Sequence, residues 1–282
     1  MSKINETNNL YNTFKKSITS GVNGAGAMTV QVCTLMWMRT IMNHQYRYGN
    51  SIKYTVNTLY NNGGIRRFYR GIGPALLQGP ASRFGDTFSN TFALSLCKNN
   101  EFLKNAPIFV QTAFASVTAG SFRILLMPID TTKTILQVEG KNGLSILKNK
   151  LKLGGPRILF NGSLATASAT MIGHYPWFMT FNYLDNYLPK YDKSEKLYTF
   201  GRNALIGFSA SVVSDTLSNS LRVIKTTKQS YKTNISYINI IKEIIEKDGI
   251  KGLFGRGLTI RLATNGIQGL MFSVIWKYLD SK

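Results

Sequence analysis

Three times along the chain the sequence returns to one short, glycine-bounded phrase. GGIRRFYRG ends at Gly71, GGPRILFNG at Gly162 and KDGIKGLFGRG at Gly257, so the copies fall 91 and 95 residues apart. That period is too long for a solenoid unit, and three copies fill all 282 residues. Each copy must therefore be a supersecondary unit that cannot bury its surface alone. The simplest solution is one body with three-fold pseudo-symmetry, in which equivalent positions surround a common axis.

Charge is unevenly spread. Lys and Arg number 34 against 13 Asp and Glu, a net charge of +21. Such a balance suits nucleic acid, an anionic membrane or an anionic solute. The runs Ser17 to Met38, Asn105 to Phe122, Ile158 to Leu184 and Leu262 to Trp276 contain no charged residue. Uncharged stretches of roughly 20 residues fit a bilayer core. The cations fall between them, in segments such as KNGLSILKNKLKLGG. This is the layout of a membrane protein with basic loops, and no nucleic-acid partner is expected. Mean hydropathy is only −0.07, because the uncharged runs are rich in Gly, Ser, Thr, Asn and Gln. They are either buried helices of a soluble protein or spans with one wet face. Polar residues inside a membrane mostly face a bundle interior or a cavity, and the three-fold repeat favours the second reading.

Enzyme chemistry finds little support. His44 and His174 are the only histidines, and neither a Ser-His-Asp arrangement, a metal-ligand cluster nor a Gly-rich phosphate loop is apparent. No cofactor or metal is expected. Cys33 and Cys97 form no disulfide framework. The segment MSKINETNNLYNTFKK has neither a signal peptide's apolar core nor the Arg-rich pattern of a transit peptide, so an internal organellar address is expected.

Each repeat reads as a long helix, a loop with a short amphipathic helix, the glycine phrase and a second long helix. The long helices are expected over 16–43 and 72–97, 107–138 and 163–188, and 199–229 and 258–280. In SYINIIKEIIEKDG, Ile238, Ile241, Ile244 and Ile245 are expected to share one apolar face. Small residues four apart recur in register: Gly21 and Ala25, Ala115 and Ala119, Gly207 and Ser211. Such spacing permits close helix approach.

The third long helix ends in MPIDTTKTILQ, where Pro128, Asp130, Lys133 and Gln137 stand at Pro-x-Asp-x-x-Lys-x-x-x-Gln spacing. In the first repeat Thr34 replaces Pro, Met36 replaces the acid and Arg39 keeps the base. In the third, Ser220 and Arg222 replace Pro and acid, while Lys225 and Gln229 remain. One full copy, two degenerate copies in register and three glycine phrases resemble the mitochondrial carrier family over nearly the whole chain. The resemblance implies an all-α membrane fold, with six transmembrane helices in three pseudo-symmetric repeats near 14–100, 106–192 and 197–282 of one domain. It also implies a monomer in the mitochondrial inner membrane, with anionic lipid at its basic matrix-side loops, transporting a solute by alternating access, as an antiporter.

In the family the acids and bases of this motif close the matrix side. That implies a gate of Asp130, Lys133, Arg39, Arg222, Lys225, Gln137 and Gln229, with Asp130 paired to Lys225, Lys133 left without an acid, and Arg222 facing Arg39. Symmetric positions give three lumen levels: Thr29, Arg123 and Asp215; Gln78, Ala169 and Thr264; Arg83, His174 and Gly269. With Arg261, the basic members Arg83 and Arg123 offer planar forks that match carboxylate or phosphate. A small anionic substrate follows, a di- or tricarboxylate or oxo-acid, bound by Arg83, Arg123, His174, Gln78, Thr264, Asp215 and Arg261. Arg83 could instead pair with Asp86, and Asp215 could neutralise an arginine. A nucleotide or cofactor carrier, or a non-transporting interaction protein on a carrier body, remain alternatives. At the other mouth Asp185, Lys277 and Asp280 occupy gate slots, with Asp185 able to meet Lys277.

Overall fold

The computed structural model describes residues 28–99, 108–189, 191 and 195–280. Among these residues every regular element is helical. Helix α1 covers 28–48. It is followed by α2 (Ile52–Asn61), α3 (Gly64–Phe68), α4 (Ile72–Asn99), α5 (Ile108–Leu125), α6 (Met127–Glu139) and α7 (Gly143–Gly154). Then come α8 (Ser163–Tyr187), α9 (Lys196–Ser230), α10 (Tyr237–Gly255) and α11 (Leu258–Asp280). The long elements lie close to the expected ranges, except that 16–27 of the first fall outside the described residues and the expected 107–138 is two helices. Gly21 and Ala25 lie outside the described residues; Ala115 and Ala119 are buried as close packing requires, whereas Gly207 has open space where a Cβ would stand, so no close approach is made there.

The degenerate motifs explain where the long helices break. Pro128 lacks an amide hydrogen and its ring crowds the preceding turn. There the third long helix divides at Leu126 into α5 and α6. In the third repeat Ser220 stands at that position, and α9 runs unbroken for 35 residues. Helix α1 likewise passes through Thr34 without interruption.

The glycine phrases join the repeats in a ring. Gly71, Gly162 and Gly257 take φ of 86°, 86° and 65°, a left-handed conformation that costs a side-chain-bearing residue dearly. Each is also pressed against the odd helix of the next repeat. A Cβ on Gly71 would meet the Lys133 carbonyl oxygen at 3.1 Å, one on Gly162 that of Lys225 at 3.3 Å, and one on Gly257 that of Met42 at 3.2 Å. Within each repeat, the carbonyl three residues before that glycine accepts a side-chain hydrogen bond from the odd helix. Thr40 donates to Phe68, Thr131 to Leu159 and Asn219 to Phe254, each at 2.7 Å.

A second ring closes over the odd-helix C-termini, whose last carbonyls have no partner within the helix. Arg67 donates to the carbonyls of Gln137 and Val138 at 2.8 and 2.7 Å. Lys150 donates to that of Gln229 at 2.9 Å, and Arg256 reaches those of Tyr46 and Arg47 at 3.5 and 3.4 Å. Each repeat thus places a cation on the negative end of the next repeat's helix dipole. These cations occupy different sequence registers, so the ring is invisible in the repeat pattern.

The isoleucine face of α10 is rotated from the expected one. Ile240 and Ile244 are buried against Tyr46, Val223 and Ile224, with Ile241 packed beside them, while Ile238 and Ile245 are exposed. The helix must present its stripe to α9 and to the end of α1, and that geometry selects Ile240.

Burial lowers the Lys150 ammonium pKa to about 8 from its ordinary 10.5, and the Lys228 charge adds to the effect. Because the folded pKa of this base is depressed, its charged form costs stability at and below pH 8, and the cost disappears as pH rises towards 10.5. Wild-type protein should therefore gain thermal stability relative to Lys150→Met between about pH 8 and 10.5. A constant difference between the two melting curves across that window would contradict the assignment.

Candidate functional site

Asp130 lies in the first turn of α6, almost fully buried. One of its oxygens meets the Lys225 ammonium of α9 at 2.5 Å, and the other meets Lys133, one turn along its own helix, at 2.8 Å. Gln229 donates to the carboxylate at 3.1 Å and to the Thr131 hydroxyl at 3.1 Å. Lys133 also donates to the Gln78 side-chain oxygen at 2.9 Å, which brings α4 into the network. Gln78 in turn donates to Ser82 at 2.8 Å. One carboxylate thus organises three long elements, and its charge-assisted bonds are short and strong.

The expected Asp130–Lys225 bridge is present, but Lys133 is not left without an acid. The i, i+3 spacing on α6 lets Asp130 serve both lysines. Arg222 also differs from expectation: it does not turn to Arg39 but to Asp215, at 3.8 Å, and to the Ser218 hydroxyl. Arg39 approaches the Met28 sulfur at 3.9 Å and lies within electrostatic reach of Arg261. Gln137, fully buried, accepts from Asn43 of α1 at 2.6 Å and donates to the Met36 sulfur at 3.3 Å. Met36 therefore replaces the family acid with a soft acceptor rather than with empty space.

Above this floor lie two further carboxylates. Asp215 of α9 receives Arg261 of α11 at 2.7 Å, Arg222 of its own helix, and the Asn265 amide. Asp86 of α4 grips Arg123 of α5 with both oxygens, at 3.1 and 2.5 Å. Arg123, expected to bind substrate, thus has its fork filled by Asp86, and Asp86 takes Arg123 as a partner. His174 lies 3.1 Å from the Ser116 hydroxyl through Nδ1. Thr264 is buried and returns its hydroxyl to the Ile260 carbonyl of its own helix at 2.6 Å. Arg83 is exposed on α4. Gln78, Ser82, Arg123, Asp130, Thr166 and Lys225 line one cleft, linking the floor to the Arg123 level.

At the other mouth, Asp185 pairs with Arg202 of α9 at 2.7 Å, and Arg202 also binds the Asp185, Leu188 and Pro189 carbonyls. The expected partner, Lys277, and Asp280 contribute only backbone to the described structure. Arg202 reaches Asp185 because the connection from α8 to α9 is short and folds α9 back along the end of α8. Register within the repeats gives no hint of Arg202 or Asn265 as partners, whereas Asn43 stands at the register of Gln137 and Gln229, and Asp86 takes Arg123 rather than Arg83.

These geometries define a helical body whose motif residues Asp130, Lys133, Lys225 and Gln229 meet at one end of a polar interior. A family model described as mitochondrial carrier protein matches residues 105–192 and 196–281, and the chain belongs to that family. Among named relatives, mitochondrial substrate carrier family protein E of Dictyostelium discoideum is 27% identical over 54% of this chain and 56% of its own. The mitochondrial arginine transporter BAC2 of Arabidopsis thaliana is 29% identical over 54% and 51%. The mitochondrial carnitine carrier of Saccharomyces cerevisiae is 28% identical over 70% and 63%. The matches thus span about half to just under two thirds of these relatives' lengths.

Removing one partner of a buried charge pair leaves the other charge uncompensated, at roughly 3–5 kcal/mol. Asp130→Ala should approach that loss in thermal unfolding of the purified protein, because it orphans two lysines. Lys133→Ala should cost clearly less, since Lys225 remains on Asp130. Equal losses would show that Lys133, not Lys225, carries the pairing.

Proposed function

We propose that the chain is a multi-pass solute transporter of the mitochondrial inner membrane that carries a small carboxylate-bearing anion by alternating access. The observation that carries this reading is the charge balance of the interior. Arg123, Lys133, Arg222, Lys225 and Arg261 are gathered around Asp86, Asp130 and Asp215, and Arg39 adds a further charge within reach of Arg261. Five cations share three carboxylates, each already engaged, and the sixth has none of them as a partner. Cations in a confined low-dielectric site are costly unless compensated, and an anionic solute supplies that compensation.

Among the described residues no helix is long and apolar enough to cross a membrane by its average hydropathy. The distribution of side chains supports spans nonetheless. On α8, Leu164, Met171, Tyr175, Met179 and Tyr183 form an exposed stripe, while Thr166, Ala169, Thr170 and Gly173 are buried. Large apolar side chains point outward and small polar ones inward. An average taken around the helix cancels the two faces, whereas lipid contacts only the apolar one. Two membrane-spanning helices in each of three repeats follow from this reading.

In this conformation the Asp130 end is closed. The Lys133–Asp130 pair lies within α6 and survives any separation of the helices. Among the described residues Asp130–Lys225 is the ion pair that ties α6 to α9, braced by the neutral Gln229, so substrate carboxylates have one interhelical ion pair to replace at this end. This is how binding would be converted into opening, by affinity for the state that needs the anion.

A nucleotide or cofactor cargo would favour an aromatic slot inside the cavity. Tyr175 is exposed on the outer stripe, and Trp177 stacks on Phe181 of its own helix with ring centroids 5.1 Å apart while donating to Ser211. That favours the smaller anion.

Reconstituted in liposomes, the protein should exchange malate-, oxoglutarate- or citrate-like solutes. Arg261→Lys keeps the charge but loses the two-pronged fork, and should lower that uptake by about tenfold or more. Uptake of cationic amino acids alone, with no response to carboxylate anions, would overturn the substrate class.

A further inference from the structure

We propose that the last turn of α1 is a clasp across the Asp130 end of the molecule, with Tyr48 and Arg47 as positioning residues that set how readily that end opens. The inference rests on the transporter reading. It assigns to the first repeat a share of the closure that its own motif does not provide. Met36 stands at the position of the motif acid, and the Asp130 ion pairs are made within α6 and with α9, not with α1.

The odd helices differ in where they stop. Counted from the proline position of the motif, α6 ends eleven residues on, at Glu139, and α9 ends ten residues on, at Ser230. Helix α1 continues fourteen residues past Thr34, to Tyr48. Gly140 ends α6 with a φ of 62°, a positive value that glycine adopts without a side-chain clash. At the equivalent position of α1 stands Tyr46, and the helix goes on. The extra turn carries Arg47 and Tyr48. At those offsets the second repeat has Lys141 and Asn142, and the third has Thr233 and Asn234.

That turn touches both other repeats. The Tyr48 hydroxyl donates to the carboxylate of Glu139, the last residue of α6, at 2.8 Å, a charge-assisted bond. The Tyr48 carbonyl accepts from Lys247 of α10 at 2.9 Å. Arg47 lies over the ring of Tyr231, at the end of α9, 4.5 Å from its centroid, and 5.4 Å from the centroid of Tyr48. It also meets Glu243 of α10 at 3.4 Å. Glu243 is partly exposed, so that ion pair holds weakly. The Tyr48–Glu139 bond and the guanidinium stack on Tyr231 carry the clasp. Two adjacent residues thus join the ends of α1, α6 and α9. Neither they nor Glu139 and Tyr231 line the cleft that holds Gln78, Arg123, Asp130 and Lys225. Substrate carboxylates that displace Asp130 from Lys225 leave the clasp untouched. Its strength is therefore a fixed bias towards the closed state, which differential binding of substrate must overcome.

Double electron–electron resonance between spin labels on Lys53→Cys of α2 and Lys148→Cys of α7, both exposed positions, reads the separation of the first two repeats at this end. Cys33→Ser/Cys97→Ala removes the native thiols. The reconstituted protein is measured as Lys225→Met, which takes away the ion pair between α6 and α9 and should show both closed and open distances. Adding Tyr48→Phe keeps the ring and loses only the donor, and should raise the open-to-closed ratio about fivefold or more. Glu139→Ala should act alike, and the two together should do no more than the larger alone, because both remove one bond. Tyr54→Phe, at an exposed tyrosine of α2, should leave the ratio unchanged. A ratio unaltered by Tyr48→Phe and Glu139→Ala overturns the proposal. So do additive shifts, an equal shift in Tyr54→Phe, or a Lys225→Met protein that is already wholly open. The distances need no substrate, so a protein that shifts them yet takes up no carboxylate contradicts the transporter reading and not the clasp.

Discussion

The Asp130 carboxylate is the interaction on which the closed end of the molecule depends. It is buried, it faces two ammonium groups, and it is the one acid in a motif set of four bases and two glutamines. Its two pairs are not equivalent. Lys133 shares its helix, so that pair orients side chains without holding elements together. Lys225 belongs to α9, so that pair does. The glutamines complete the geometry: Gln229 steadies the carboxylate from α9, and Gln78 holds Lys133 from α4. A family-like ring of three interhelical ion pairs is here reduced to one, supported by neutral hydrogen bonds.

What the ring loses in charge it regains in backbone contacts. Three glycines let the even helices start hard against the odd helices of the next repeat. Three cations from three registers cap the odd-helix carbonyls. These contacts lie outside the interior, so the interior is free to hold excess cations. The same logic accounts for Asp86 and Asp215. Each fixes one arginine firmly, Arg123 and Arg261 respectively, and so sets the shape of the polar interior in which the proposed solute would meet the remaining positive charge.

The fold was largely legible because a 90-residue period and three glycine phrases are strong signals. The break at Pro128 was not anticipated: 107–138 was expected as one helix, and Pro80 and Pro176 lie inside unbroken helices, so proline alone does not mark where a helix divides. The pairing partners were less legible. Arg123 meets Asp86 because of how α5 is rotated against α4, a relation between helices that no periodicity encodes. Lys133 found its acid within its own motif, which the assumption of a strictly cyclic ring obscured. The α10 face was misjudged because Ile240, Ile244 and Ile238 are equally apolar, and only the position of Tyr46 and α9 selects among them. Arg202 was missed because it lies at the start of a long helix, opposite a gate slot defined by the repeat.

A double-mutant cycle between Asp130 and Lys225 tests the central claim most directly. Asp130→Asn, Lys225→Met and the double variant would be compared with wild type by thermal unfolding of the purified protein. If this pair ties α6 to α9, the single losses should overlap by roughly 1–3 kcal/mol, so that the double variant is far more stable than their sum implies. Additive losses, within about 0.5 kcal/mol, would contradict the account and move the closure of the bundle to its backbone contacts alone.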